Sequence, residues 1–288
     1  MIDLEYRLIQ LARRNRDGSR ATQRDRRKIL SLAARQLRHT HHYRLPDERS
    51  LKPKHIHALV NHWKQTVSVP TQKNRIAVLR WWAEKVGKSN VVPRANAELG
   101  VGKRVYRVNV SKATTDPDKA IRQVKDPYVA MSLRLQQCFG LRREEAMKIR
   151  PALAHRDGHL ELKNAWCKGG RPRSIPVLTP EQRAVLEEAK HLAGSGSLIP
   201  AHKSYKQHLN TWEYQTTKAG ISQTHGLRHA YAQQRYLEIT GWNAPAAGGP
   251  RHFELTAEQK QPDIEARQQI TAELGHGRID ITTQYLGR

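Results

Sequence analysis

The sequence predicts a mainly α-helical protein made of two domains, with a small β-hairpin in the second domain. Apolar residues recur at helical spacing through most of the chain, and only a few short segments alternate between apolar and polar residues. The 288 residues are enough for two domains of ordinary size. Glycines, prolines and hydroxyl residues between the apolar segments mark where the helices begin and end.

Residues 1–110 are predicted to form the N-terminal domain, a helical bundle. Its four helices are expected over residues 1–17, from Thr22 to about Tyr43, from Pro53 onward, and from Pro70 to about Gly87. Each helix has an apolar stripe, which in the second helix consists of Ile29, Leu30, Ala33 and Leu37. Packing these stripes together would leave the polar faces outside.

The charge of the chain favours a polyanionic partner. The sequence has 51 Lys+Arg against 26 Asp+Glu, a formal net charge of +25, which suits nucleic acid or an anionic membrane surface. No apolar run approaches the length of a membrane-spanning helix, and the first residues lack the layout of a signal peptide. We therefore expect a cytoplasmic, nucleoid-associated protein that binds double-stranded DNA and no membrane.

Basic residues recur on consecutive helices of the bundle, with few acidic residues between them. A single charged helix face is usually only solvated, but this repetition favours contacts with DNA phosphates. Arg26 is placed on the same basic face of the second helix. The predicted DNA contacts are Arg24, Arg27, Lys28, Arg35, Arg38, Lys73 and Arg75.

Histidines and cysteines are not expected to bind a metal ion. The six histidines from His39 to His62 match no standard zinc spacing and have no cysteine or carboxylate cluster beside them. Cys138 and Cys167 are expected to be reduced thiols. The sequence therefore predicts neither a metal nor another cofactor.

The C-terminal domain is predicted over residues 118–288, after a segment that lacks helical periodicity. Within that segment, residues 105–110 alternate like a short strand or an extended linker. Strands over 159–166 and 173–177 flank a glycine-rich turn and form the hairpin, and residues 241–262 form an irregular insert. The domain's helices are predicted over 118–124, 127–138, 143–149, 180–192, 203–220, 227–239, 264–274 and 280–286.

Several side chains of the second domain suit the cleavage of a phosphodiester by an oxygen nucleophile. Negative charge develops on the phosphate oxygens in such a reaction, and the planar fork of arginine can bond two of them. A lysine or histidine can protonate the leaving 5′ oxygen, and a tyrosine can attack once its proton is removed. No cluster of acidic residues indicates a two-metal nuclease instead.

Taken singly, each of these side chains has an ordinary structural explanation. Tyr285 could be a packing residue of the last helix, and His225 could cap the helix that follows it. Lys168 could be solvated in its glycine-rich turn, and Arg142 could be one surface arginine among others. Their order and spacing, rather than any single residue, favour a shared function.

That order and spacing resemble the tyrosine recombinase, or phage integrase, family. The motifs are Gly140-Leu141-Arg142-x-x-Glu145, a lysine in a hairpin turn, His225-x-x-Arg228, Leu274-Gly275-His276, and Tyr285 nine residues later. Together they are highly specific and cover the chain from about residue 118 to its end. The N-terminal bundle resembles the family's core-binding domain only in position, basicity and helicity.

The resemblance implies a role for each matching residue. Arg142 and Arg228 would clamp the scissile phosphate, and His276 would hydrogen-bond to it. Lys168 would lie on the minor-groove side and protonate the leaving oxygen, while His225 would assist proton transfer. Tyr285 would form a 3′-phosphotyrosyl link that conserves bond energy, so ligation needs no ATP. Glu145 would support the site by orienting Arg142.

The implied function is site-specific DNA recombination by a homotetramer on two DNA sites. Each chain would close around DNA as a C-shaped clamp, and integration of a mobile genetic element is favoured over resolution of chromosome dimers. Accessory DNA-bending or directionality proteins are further candidate partners. Two alternatives remain: a type IB topoisomerase, which shares this chemistry and relaxes DNA without site preference, and a DNA-binding protein that keeps the fold without catalytic activity.

Overall fold

The computed structural model describes residues 3–104, 109–221 and 223–288 and has two compact units, residues 1–105 and 106–288. Both units are mainly helical, which confirms the predicted fold class. The possible strand over 105–110 lies mostly outside the described residues. None of the helices in the described parts of the chain is long and apolar enough to cross a membrane.

The first unit contains four main helices: α1 (Asp3–Arg14), α2 (Arg20–Arg35), α3 (Pro53–Thr66) and α4 (Val69–Lys85). Helix α2 begins before the predicted Thr22, because the hydroxyl of Ser19 accepts a hydrogen bond from the Thr22 backbone N–H at 3.2 Å and caps the helix. A π-helical turn over Gln36–Thr40 follows α2, so the regular helix ends earlier than predicted.

The core of the first unit is built around two fully buried tryptophans, Trp63 and Trp82. Each indole N–H has a partner: Trp63 donates to the Gln36 amide oxygen at 2.8 Å, and Trp82 donates to the Glu48 carbonyl at 2.8 Å. Buried indoles need such acceptors, since an unpaired N–H in the core is costly. The apolar stripes of the helices surround them with Leu8, Leu30, Leu37, Ile56, Leu59 and Leu79.

The placement of Arg26 on the basic face of α2 is wrong. Its side chain is buried, with the guanidinium carbon 4.1 Å from the centroid of the Trp81 ring and Nη1 2.9 Å from Asp17 Oδ1. Arg26 lies at the edge of the apolar stripe, where an arginine can pack its stem inward and stack on an aromatic ring. It therefore holds the α1–α2 loop against α4 and is not free to meet DNA.

The second unit has nine helices and three short strands among its described residues. The helices are α5 (Pro117–Arg122), α6 (Pro127–Phe139), α7 (Arg143–Lys148), α8 (Pro151–Ala154), α9 (Pro180–Ala193), α10 (Tyr205–Lys218), α11 (His225–Thr240), α12 (Ala257–Glu273) and α13 (Ile279–Leu286). All of them except the short α8 correspond to a predicted helix.

The predicted hairpin is present within a three-stranded antiparallel sheet of order β1-β2-β3. Strands β2 (His159–Leu162) and β3 (Arg173–Pro176) pair with Leu160 opposite Ile175, and both side chains point into the core. Strand β1 (His155–Arg156) was not predicted, since two residues are too few to show an alternating pattern.

Helices α6, α11, α12 and α13 and the sheet share the largest core of the second unit. Gly140 ends α6 in the left-handed conformation, at φ +58°, and a Cβ there would come within 2.5 Å of the Tyr231 ring. Only glycine fits both conditions. The chain can therefore turn directly from buried Phe139 into Leu141 and Arg142, which brings that arginine to the edge of the core.

The irregular insert is shorter than the predicted 241–262. Helix α12 starts at Ala257 because Thr256 and Gln259 form a capping box, with backbone-to-side-chain distances of 3.3 and 3.0 Å. Pro262 therefore lies inside the helix, close to its start, where it removes only one backbone hydrogen bond. Buried Asp263 anchors this end by accepting hydrogen bonds from Tyr236 at 2.6 Å and Arg267 at 2.7 Å.

The two phenylalanines of the chain provide a matched test of this packing. Phe139 is 0% exposed and Phe253 is 75% exposed. We expect Phe139→Ala to reduce the free energy of unfolding by about 3–5 kcal/mol, since it leaves a cavity in the core. Phe253→Ala should change it by no more than about 0.5 kcal/mol. Urea unfolding followed by tryptophan fluorescence measures both, and similar effects of the two variants would contradict this core.

Candidate active site

Four separate segments of the second unit meet at one place. Helix α11 contributes His225 and Arg228 from its first turns, and α13 contributes Tyr285. The turn after α12 contributes His276, and the loop between α6 and α7 contributes Arg142. The structure thus brings together five of the side chains singled out in the sequence.

Arg228 lies at the centre of this site, with only 1% of its surface exposed. Its guanidinium donates to the carbonyl oxygens of Gly140 and Leu274, and Nη2 lies 3.1 Å from His276 Nε2. Burial lowers the pKa of Arg228 to about 10, so the group is still protonated at neutral pH. A fixed positive charge is therefore held by carbonyl dipoles from two different loops.

The phenol oxygen of Tyr285 lies between a base and a cation. It is 3.0 Å from His225 Nε2 and 3.3 Å from Arg228 Nε. The residue is 6% exposed, and its carbonyl accepts a hydrogen bond from Gln233 Nε2 at 3.0 Å. A neutral histidine can accept the phenol proton while the guanidinium stabilises the resulting negative charge.

His276 connects the arginine to the start of the last helix. Its Nδ1 is 2.9 Å from Thr282 Oγ1, and that hydroxyl is 2.6 Å from Thr271 Oγ1. Burial, followed by the charges of Arg228 and Arg142, lowers the pKa of His276 to about 3. The imidazole is therefore neutral in the physiological range and can serve as a hydrogen-bonding group.

The same forces act on His225, part of whose surface remains exposed. Partial burial and then the charges of Arg228 and Arg142 lower the pKa of this histidine below its usual value. A neutral imidazole can take a proton, which a protonated one cannot. The cations of the site thus favour the form of His225 that can act as a base.

Arg142 is held by the carboxylate of Glu145. The carboxylate accepts the Arg142 backbone N–H at 2.8 Å and Nη1 at 2.7 Å, while about a quarter of the Arg142 side chain stays exposed. Burial would raise the pKa of Glu145, but hydrogen bonds from Arg173 and the charges of Arg173 and Arg142 lower it to about 2. Glu145 is therefore ionised throughout the physiological range.

Comparison with known proteins agrees with this geometry. Residues 1–92 match the family model described as phage integrase, N-terminal, and residues 102–234 match the model described as integrase. The chain belongs to the tyrosine recombinase family. It is a tyrosine-type site-specific recombinase. No curated protein sequence matches it.

Solved structures of recombinases share the fold. The lambda integrase dimer bound to a COC′ core site has a TM-score of 0.64 at 17% identity, over 96% of this chain and 76% of that one. XerH recombinase in a post-cleavage complex with palindromic difH has a TM-score of 0.59 at 14% identity, over 99% and 81%. A lambda integrase tetramer bound to a Holliday junction has 0.57 at 18% identity, over 83% and 74%.

Lys168 is the one predicted catalytic residue for which the described part of the chain shows no contact with this cluster. It is exposed in a short helical turn over Lys168–Gly170, and among the described residues its ammonium has no hydrogen bond or ion pair. At the other end of the β2–β3 connection, Arg171 packs closely against Gly277, where a Cβ would collide with Arg171 Nη1. The connection therefore lies against the turn that carries His276, while Lys168 itself is exposed.

Two residues of the recombinase centre were not predicted from the sequence. Arg173 was treated only as part of a strand, but its side chain is 5% exposed and pairs with Glu145 at 2.6 Å. His229 was treated only as part of helix α11, but its ring centroid lies 4.4 Å from that of Tyr285. Neither has a local signal, because each contact joins residues far apart in the chain.

The predicted DNA-contact residues lie on α2, on the turn after it and on α4. Lys28 and Arg75 line a groove of about 610 Å³ between α2 and α4, together with Asn74 and Trp81. Arg35 is largely exposed but donates to the Ser31 hydroxyl at 2.8 Å. Arg24 is exposed, and Arg27, Arg38 and Lys73 are half-buried. Their contact with DNA is a proposal.

The Glu145 carboxylate should make the stability of the recombinase depend on pH. Its pKa is lowered in the fold from a usual 4.5 to about 2, so its stabilising effect is complete above about 4.5 and disappears as pH falls toward 2. We expect Glu145→Gln to cost about 3–5 kcal/mol at neutral pH and less at about pH 3. Urea unfolding of both proteins tests this, and an equal deficit at the two pH values would contradict it.

Proposed function

We propose that this recombinase cuts and rejoins duplex DNA through a 3′-phosphotyrosyl intermediate formed on Tyr285, without a metal ion or ATP. The observation that carries the proposal is the position of the phenol oxygen, 3.0 Å from His225 Nε2 and 3.3 Å from Arg228 Nε. A side chain that served only for packing would not need its oxygen placed between a base and a cation.

In the first step, the Tyr285 oxygen attacks the scissile phosphorus. A phosphorus–oxygen bond to tyrosine forms, the bond to the 5′ oxygen of the next nucleotide breaks, and the phenol proton passes to His225. The leaving 5′ oxygen takes a proton from Lys168. Rejoining is the reverse reaction with a 5′-hydroxyl of another strand, and the phosphotyrosyl bond supplies the energy for it.

Arg142, Arg228 and His276 stabilise the charge that develops on the non-bridging oxygens. Arg228 is preorganised by its carbonyl partners, so little rearrangement is needed when the phosphate arrives. The Lys168 side chain is exposed and unpaired among the described residues, so its ammonium is free to bind the phosphate when DNA arrives. Two glycines follow it directly, which suits a mobile turn.

We assign core DNA binding to residues 1–110 and catalysis to residues 118–288. The active assembly is a homotetramer on two DNA sites, supported by the fold shared with the lambda integrase tetramer on a Holliday junction. Accessory DNA-bending or directionality proteins would select the direction of the reaction. The protein would act on the nucleoid in the cytoplasm and integrate a mobile genetic element.

Replacement of the nucleophile tests the covalent step. Tyr285→Phe should bind DNA as the wild type does and form no covalent adduct, because only the phenol oxygen is lost. Adducts are trapped on nicked suicide duplexes taken from the DNA that flanks the gene and are separated on denaturing gels. Tyr214→Phe, which alters an exposed tyrosine, should form adducts normally.

An adduct formed by Tyr285→Phe would assign the nucleophile to another residue. The same reaction with EDTA tests the metal-free chemistry, since Glu145, the carboxylate next to Arg142, has both oxygens bound by arginines. Adduct formation that stops in EDTA and returns with magnesium would overturn that part of the proposal.

DNA binding should weaken steeply with salt through the basic face of the first unit. Each lost phosphate contact lowers the slope of log affinity against log salt by about 0.9. We expect that change for Lys28→Gln and for Arg75→Gln, measured by fluorescence anisotropy with a labelled duplex. Lys190→Gln, which removes a lysine paired with Glu187 on α9, is the control. An unchanged slope in both Lys28→Gln and Arg75→Gln would contradict DNA contact through the groove between α2 and α4.

A further inference from the structure

Arg173 is buried among polar groups of the protein, and every nitrogen of its guanidinium has a partner. Nε donates to the Glu273 carbonyl at 2.7 Å, Nη1 to Glu145 Oε1 at 3.1 Å, and Nη2 to Glu145 Oε2 at 2.6 Å. Only 5% of the side chain is exposed. Arg173 is therefore in no position to bind a DNA phosphate itself.

The carboxylate of Glu145 is shared evenly between Arg173 and Arg142. Each of its oxygens accepts one hydrogen bond from each residue: Oε1 from the two Nη1 groups, and Oε2 from the Arg142 backbone and from Arg173 Nη2. The position of the carboxylate therefore depends on both arginines. A shift of Arg173 would move Glu145 and change the direction of the Arg142 guanidinium.

The charges of this group of three also matter. A pair of Glu145 and Arg142 alone would be neutral, and the negative charge of Glu145 would weaken the attraction between Arg142 and an arriving phosphate. The second arginine leaves the group with one net positive charge, so Arg142 can keep its ion pair and still attract the phosphate. Arg142 is the exposed member, with a quarter of its side chain open to solvent.

Arg173 also joins the turns that carry Lys168 and His276. It is the first residue of β3, three residues after the end of the Lys168–Gly170 turn, and it donates to the carbonyl of Glu273 at the end of α12. Gly275 has a φ of +62°, and a Cβ there would lie 2.8 Å from Arg173 Cδ. The Arg173 stem therefore packs directly against the backbone that leads to His276.

We propose that Arg173 is a positioning residue for DNA strand cleavage: it aligns Arg142 through Glu145 and holds the Lys168 turn against the His276 turn. The inference rests on the proposed function of the site. It differs from a purely structural brace because it predicts changes in the chemistry of Glu145 and in the cleavage step, beyond any change in stability.

Removing the Arg173 charge should change the ionisation of Glu145. The charged and titratable groups that face this carboxylate are Arg142, Arg173 and the Cys167 thiol. With Arg173→Gln, burial is opposed by Arg142 alone, so the pKa of Glu145 should rise from about 2 toward its usual value. Carbon-13 NMR of the glutamate carboxyls measures this without DNA, and Glu145→Gln identifies the resonance.

The cleavage rate should follow that ionisation. Single-turnover adduct formation on the suicide duplex should fall on the order of 10²-fold in Arg173→Gln and decline further as pH is lowered. In the wild type, Glu145 contributes no such decline above about pH 4, because its pKa is about 2. Adding Glu145→Gln to Arg173→Gln should cause little further loss, since both changes break the same link.

Two further variants separate positioning from stability. Arg173→Lys keeps the charge and should keep Glu145 ionised, so its pH profile should match that of the wild type. It cannot bind both Glu145 oxygens and the Glu273 carbonyl, so its rate stays low. If Arg173→Gln does not fold, Arg173→Lys still tests the inference. Arg235→Gln breaks a buried arginine–glutamate pair between α11 and α12 that does not contact Arg142, and should lower the melting temperature without changing the pH profile.

The outcomes distinguish this inference from the proposed function. Absence of any wild-type adduct would overturn the proposed function, while the NMR titration would still test the link from Arg173 to Glu145. A Glu145 pKa that stays near 2 in Arg173→Gln would overturn the inference. The inference would also be overturned if Arg173→Gln cleaved DNA at the wild-type rate. The same holds if, at equal folded fraction, its cleavage rate fell no more than that of Arg235→Gln.

Discussion

The burial of one positive charge, that of Arg228, is the constraint on which the candidate site depends. A guanidinium with 1% exposure would be strongly unfavourable without fixed partners, so the fold must supply acceptors around it. The carbonyls of Gly140 and Leu274 do so, from the ends of α6 and α12. Binding the arginine therefore also fixes the loops that lead to Arg142 and His276, and the phenol of Tyr285 takes the remaining side at 3.3 Å.

The positive charges concentrated there set the chemistry of the neighbouring groups. Burial and nearby arginines lower the pKa values of His225 and His276, which favours the neutral form of both histidines. Glu145, with a pKa of about 2, balances part of the charge without reaching the phenol. The site can thus hold an anion and accept a proton at the same time, which a cluster of protonated histidines could not do.

Much of the fold follows from local patterns in the sequence. The ends of α6 and α11 were predicted to within one or two residues, because Gly140 and the apolar spacing before it act over a few residues. One error came from a contact distant in sequence, since Arg26 is drawn inward by Trp81 on α4. The other did not: α12 extends back through Pro262 because of a local capping box formed by Thr256 and Gln259, which the prediction missed.

The sequence by itself determined the helical fold class, the family motifs and the identity of the chemical groups, since each of these depends on residue type and spacing along the chain. Only the tertiary structure decided which groups meet. Tyr285 and His225 lie 60 residues apart in the chain, but the phenol oxygen lies 3.0 Å from the imidazole Nε2. Lys168, by contrast, is exposed to solvent. The sequence also could not predict the proposed role of Arg173. A strand pattern shows which residues face inward, but not which carboxylate each of them contacts.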